Sequence, residues 1–220
     1  MSLITTQHNW RLRKQVFDYL STRIEKGALT PGSLINVRRL TDELQISRTP
    51  LREALAQLEV QGLVTIMPQR GVMINVLTYE ALLNIFEILG ALESQALKTV
   101  FNRIGKKGID RMEQYNRSMG QFIINERNRK FHDTNIQLHR VFLDLSRNVE
   151  LTNYVSNLKL RLFSFALKSY RNRFKEAIVK EHDEFIALLR NDDRDGAVDF
   201  LKNVHWKFNY PDNFIRPDSL

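Results

Sequence analysis

Between Val37 and Leu63 the chain reads VRRLTDELQISRTPLREALAQLEVQGL, and its apolar positions recur at helical spacing in two short runs. Val37, Leu40 and Leu44 line one side of the first run. Leu51, Ala54, Leu55 and Leu58, at i, i+3, i+4 and i+7, line the second. Gln45-Ile46 leaves room only for a corner between them. Ser47 or Thr49 can cap the second helix, and Pro50 falls in its first turn, where a missing N–H costs nothing. Gly62 closes that helix. Residues 63–67 then read as a strand, Pro68-Gln69-Arg70-Gly71 as a turn, and residues 72–76 as a second strand of alternating pattern. Two helices around a corner, followed by a β-hairpin, are thus expected.

Before this stretch, residues 10–26 form a helix with Val16, Phe17, Leu20 and Ile24 inward, stopped by Gly27 and Thr30-Pro31-Gly32. After Val76 the period is helical throughout. Thr78 caps a long helix from Tyr79 to about Asn102, with Leu82, Ile85, Phe86, Leu89, Leu92 and Ala96 as its stripe, and Gly105 and Gly108 break it. Further helices are expected over 110–125, 128–147, 151–171, 174–191 and 195–208. No strand pattern appears after residue 76, and the Pro-containing tail 209–220 is expected to lie loosely. The fold class is mainly α: a small N-terminal domain (1–76) with a β-hairpin, then an all-α antiparallel bundle of about six helices (77–220).

Composition narrows the classes. The chain has 220 residues, 43% of them apolar, enough for a real core. It shows no apolar run long enough to span a bilayer and no signal-peptide pattern, so a cytoplasmic protein is expected. The absence of cysteine removes disulfides, thiolate metal sites and thiol nucleophiles. Net charge is +8, and residues 1–76 hold ten Lys/Arg against six Asp/Glu, so the first third carries half the excess. That balance suits a polyanionic partner.

The candidate chemistry of the first domain lies at the start of its third helix. Arg48 and Arg52, four apart, stand on one face at a helix N-terminus beside the hydroxyls of Ser47 and Thr49, an arrangement that attracts anions. A helix-turn-helix presents such an end to the major groove, and the hairpin after it forms a wing with Arg70 at its tip. The bland alternative is a helical hairpin with solvated arginines. The run SRTPLREALAQLEVQGLV followed by PQRG resembles the winged helix of the GntR family of bacterial transcription regulators over residues 10–76. That resemblance implies DNA contacts from Arg38, Ser47, Arg48, Thr49, Arg52 and Gly71.

In the second domain, His139, His182 and His205 sit on the apolar faces of three separate helices. Buried imidazoles that converge need compensation, most often a metal, although each taken singly reads as a core histidine with one hydrogen bond. His132 lies two turns before His139 and suits an outer or surface role; His8 carries no signal. The spacing Asn135, Leu138-His139, Glu181-His182, Val204-His205 is similar to the FCD effector domain that follows many GntR winged helices. The resemblance implies a divalent metal such as Zn or Ni held by Asn135, His139, His182 and His205, with a small effector, an organic acid, completing the site. Two positions depart from it. Asn135 stands where the family has Asp, offering a carbonyl oxygen without charge. Leu89, ahead of Leu92-Glu93, stands where the family often has an effector-gripping Arg, and Arg161 is the candidate substitute, with a surface arginine as the equal alternative.

Together these readings describe a regulator that binds a palindromic operator as a homodimer and responds to a small ligand, and not an enzyme. A metal-dependent enzyme using the three-histidine site to activate water is the alternative, opposed by the lack of a carboxylate at an adjacent position to serve as general base. An architectural DNA-binder with an inert bundle is the third.

Overall fold

The computed structural model describes residues 3–25, 28–169 and 171–207. Side chains of residues 3–11, 13, 25 and 163–169 lie outside that description, and so do Gly27 and Phe208 and the tail 209–220. The readings for His8, the Gly27 stop and the loose tail therefore fall outside the described residues. Contacts divide the chain into two units, 1–77 and 78–220.

In the first unit, α1 (Leu3–Glu25) begins earlier than the pattern of residues 10–26 suggested. It packs on α3 (Arg48–Val60), with Val16, Leu20 and Ile24 buried against a face of Leu51, Ala54, Leu55 and Leu58. Each fully buried Leu on that face contributes on the order of 1.5–3 kcal/mol, so the two helices hold each other without help from charge. Asn36 starts α2 (Val37–Leu44), its side chain accepting from Arg39 N at 2.9 Å. Gln45, in the left-handed region at φ 52°, stops α2 and makes the corner. A bond network from Arg23 and Tyr19 of α1 to Glu43 ties α1 to α2.

The sheet has order β1-β3-β2, all antiparallel: β1 (Leu34–Ile35), β2 (Val64–Met67) and β3 (Gly71–Ile74). The hairpin matches the expected wing. β1 was not expected, because two residues are too short to show alternation and its partner β3 is nearly forty residues away. Asn75 fastens the wing base: its amide donates to Gly62 O and Val64 O, and its oxygen accepts from Thr65. Gly71 opens β3 at φ 108°, a conformation other residues avoid.

The second unit is helical: α4 (Tyr79–Ile124), α5 (Asn128–Leu143), α6 (Val149–Ser169), α7 (Asn172–Arg190) and α8 (Arg194–Phe200), then a π-helical turn (Leu201–His205). Thr78 caps α4 as expected, accepting from Ala81 N. The long helix and the following one meet at Gly105, whose non-helical φ 59° and ψ 171° break the run as expected, so α4 is two helical arms across a kink; Gly108 lies within the second arm. Counting the two arms of α4 apart gives the six helical segments expected. The final helix, read as one run from 195, instead widens into the π turn. α4 packs against α5, α6, α7, α8 and the π turn, so it forms the spine of the bundle.

Candidate functional site

In the first unit the candidate DNA contacts are individually exposed, except Gly71, which is half-buried. Ser47 occupies the N-cap of α3 but makes no side-chain capping bond, which leaves its hydroxyl available. Thr49 does not cap either. Arg48, Thr49 and Arg52 are exposed around the first turn of α3, Arg38 is exposed on α2, and Arg70 is exposed in the wing turn, whose Arg70 N donates to Met67 O. No bond to a described residue engages the side chains of Arg38, Arg48, Arg52 or Arg70. These guanidinium groups are therefore free to meet phosphate and base edges.

The second unit gathers its polar groups in the dark. His139 of α5, His182 of α7 and His205 of the π turn are all buried, with ring centroids 4.9 to 5.4 Å apart. One ring nitrogen from each lies within 4.8 Å of those of the others. The outer nitrogens settle which. His139 Nδ1 meets Glu93 Oε2 at 2.7 Å, and His205 Nδ1 meets Glu181 Oε2 at 2.9 Å. His182 Nδ1 meets Asn116 Oδ1 at 3.1 Å, and the Asn116 amide donates to Val179 O and Asp183 Oδ1, which fixes its oxygen as the acceptor. Each ring therefore donates from Nδ1, and in its neutral form carries its lone pair on Nε2. The Nε2 atoms of His139 and His182, and Asn135 Oδ1 one turn before His139, are buried without a hydrogen-bond partner.

Orphaned acceptors in an apolar core are costly unless something meets them. Three imidazole lone pairs with oxygen acceptors behind them fit a divalent ion, since metal-bound histidines characteristically donate their other N–H to an outer oxygen. Burial also favours the neutral ligand form. It pushes His139 down to about 4, against the attraction of Glu93, and holds His182 well below its ordinary value.

Sequence reasoning missed the group behind His139. Glu93 of α4 is 0% exposed, and burial would raise its carboxyl, but His139 and Lys159 outweigh that and hold it below the usual range. Lys159 of α6 pairs with Glu93 Oε1 at 2.6 Å, while Trp206 Nε1 donates to Oε2 at 2.9 Å. With His139 neutral near pH 7, Lys159 is the charge that balances Glu93. Carboxylates thus do lie beside the histidines, contrary to the sequence reading, but both contact Nδ1 on the outer side of the rings. Leu89 is fully buried and His132 is buried with its ring edge-on to Phe131. Arg161 is half-buried on α6, its charged form disfavoured by burial. The signal for Glu93 was available: it falls four residues after Leu89 and three before Ala96, on the apolar stripe, where a carboxylate needs partners. Asn116 interrupts the Met112, Met119, Ile123 stripe in the same way.

Comparison with known proteins agrees with both halves. Residues 12–74 match the model for bacterial regulatory proteins of the gntR family, and residues 84–204 match the FCD domain. The chain is similar to an uncharacterized HTH-type transcriptional regulator, YdhC, of Bacillus subtilis (24% identical, covering 83% of each chain). It is also similar to the gluconate operon transcriptional repressor of Bacillus licheniformis (26% identical, covering 86% of this chain and 79% of that one). Among solved structures, E. coli McbR/YncC shares the fold with a TM-score of 0.71 at 19% identity, over 88% of this chain and 93% of that one. The two family matches, on a winged head followed by this helical domain, make the chain a DNA-binding transcriptional regulator of the GntR family with an FCD effector domain, a family of regulators and not of enzymes.

Proposed function

We propose that this regulator binds a palindromic operator as a homodimer and responds to a small organic acid bound in the helical domain beside a divalent metal. One recognition helix covers only a few base pairs, so a two-fold pair of heads is the economical way to reach useful specificity. In each head Arg48 and Arg52, with Ser47 and Thr49, read the major groove, while Arg38, Arg70 and the Gly71 backbone hold phosphate or the minor groove.

The observation that carries the metal reading is the common tautomer: three Nδ1–H groups bound outward to Glu93, Asn116 and Glu181, and three Nε2 lone pairs left for one ion. His139, His182 and His205 are its ligands, with Asn135 Oδ1 as the oxygen donor. A bound ion supplies a Lewis-acidic centre with open positions for an effector. Because all four protein donors are neutral, the ion keeps its full charge, which favours an anionic effector; Arg161 is a second cation for it. A name built on gluconate, an organic acid, belongs to a relative and is in keeping with this class. Effector binding then shifts the population between heads able and unable to engage both half-sites. The protein works where DNA is, in the cytoplasm.

Selection of bound sequences from a random duplex pool, followed by footprinting, tests the DNA half. An inverted repeat protected as two half-sites by a sedimenting dimer is expected. Protection of a single half-site by a monomer would remove the dimer and the palindrome. A thermal-shift panel of organic acids against zinc-loaded protein tests the ligand class.

A further inference from the structure

The metal reading leaves Glu93 with more partners than an outer-sphere acceptor needs. Its Oε2 accepts from His139 Nδ1 of α5 at 2.7 Å and from Trp206 Nε1, just past the π turn, at 2.9 Å. Its Oε1 holds Lys159 Nζ of α6 at 2.6 Å. Three separate elements are tied to α4 through one carboxylate.

The neighbours make that tie stiff. Lys159 Nζ lies 5.4 Å from the centre of the Trp206 ring, which meets Phe86 of α4 edge-on at 5.3 Å. Gly90, one turn before Glu93, faces the π turn so closely that a Cβ would stand 3.1 Å from Lys202 O and from Trp206 Cβ. The π turn therefore cannot move toward α4, and Trp206 cannot turn without disturbing Glu93. α4 is also the helix that follows wing strand β3 after the short link 75–78.

We propose that Glu93 is a positioning residue through which occupancy of the three-histidine centre is transmitted to α4. The inference rests on the metal reading given under Proposed function. Coordination of His139 Nε2 makes its Nδ1–H a stronger donor and fixes the ring, so the bond to Glu93 tightens. His205 is fixed at the same time, and the adjacent Trp206 is drawn to the same carboxylate. Metal binding at α5, α7 and the π turn thereby orders α4, which supplies none of the metal ligands. The rival role for Glu93 is simple neutralisation of Lys159, and removing both charges together separates the two.

The test is hydrogen exchange on the full chain with and without zinc, using Glu93→Gln/Lys159→Met, which removes the buried pair without orphaning a charge. In the wild-type chain, zinc should slow exchange in α5, α7, the π turn and the 82–97 part of α4. In the double variant, zinc affinity should fall by roughly 10–100-fold. At saturating zinc, protection should persist in α5 and α7 and be lost from α4. Trp206 emission, read in a Trp10→Phe background, should respond to zinc in the wild-type arrangement and not in the double variant. Should the double variant fail to fold, Trp206→Phe keeps the ion pair and an aromatic ring but removes the indole N–H; it should weaken α4 protection while zinc still binds. A folded variant of either kind with wild-type protection of α4 overturns the proposal. A wild-type chain that binds no zinc overturns the metal reading beneath it, a failure visible before any variant is made.

Discussion

The two units of this regulator handle charge in opposite ways. The winged head puts Arg38, Arg48, Arg52 and Arg70 in solvent with their donors uncommitted, over a core of aliphatic side chains. The helical unit buries Glu93 and three histidines, pairs Glu93 with Lys159, whose side chain is only 11% exposed, and binds each outer ring nitrogen to an oxygen. An exposed cation waiting for phosphate costs little while idle, because water solvates it. A buried lone pair cannot idle, because nothing replaces the lost water. Head residues can therefore be changed with loss of binding alone, whereas changes at the buried centre alter stability and binding together.

The sharpest way to break this contrast is to remove one charge from each unit. Glu93→Leu leaves Lys159 buried without its partner and should cost about 3–5 kcal/mol of unfolding free energy. Arg52→Ala, on an exposed face, should change stability by no more than about 0.5 kcal/mol. Urea unfolding of both variants decides it, and equal effects would refute the distinction.

On DNA the ranking reverses. Arg48→Ala and Arg52→Ala should each weaken operator binding by ~1–3 kcal/mol and relax base preference, while Arg70→Ala should weaken operator and random DNA alike. Competition titrations against both kinds of duplex read this. Unchanged operator affinity in both recognition-helix variants would remove α3 from the groove.

Acid should also separate the units. Burial sets the folded His139 at about 4 and His182 well below 6.5, the ordinary histidine value. Below pH 6.5 the unfolded chain takes up protons that the folded centre refuses. Stability of the metal-free helical unit is thus full above that pH and falls as pH drops toward 4, with Glu93 adding to the loss only below the ordinary carboxylate value of 4.5. Melting of metal-free protein from pH 7.5 to 4.5, followed by exchange in each unit, should show the helical unit losing protection first. Loss from the head first would contradict the assignment.

The same contrast explains what the sequence disclosed. Head chemistry is local: Ser47, Thr49, Arg48 and Arg52 belong to one helical turn, so spacing alone places them together, and the wing follows without a gap. The three histidines were legible because each falls on an apolar stripe. Glu93 left a signal on its apolar stripe, but its partners Lys159 and Trp206 did not, because 113 residues separate Glu93 from Trp206 and only the folded bundle brings the three together. β1 escaped for a related reason, since it depends on pairing with a distant strand, whereas the break at Gly105 was legible because a glycine inside a helical run is a local signal.

The smallest expected effect is at Asn135. Its buried Oδ1 gives a neutral donor, and Asn135→Asp should tighten metal binding by adding Coulombic attraction. If no metal binds, the same change only buries an unpaired charge and lowers the melting temperature.

Metal content is the most direct test of the account. Protein purified without chelator should carry about one divalent ion per chain, and His182→Ala should carry none. Wild-type protein free of metal, with a melting temperature unmoved by chelator, would mean that the three histidines are packing residues and that the helical unit senses its ligand by other means.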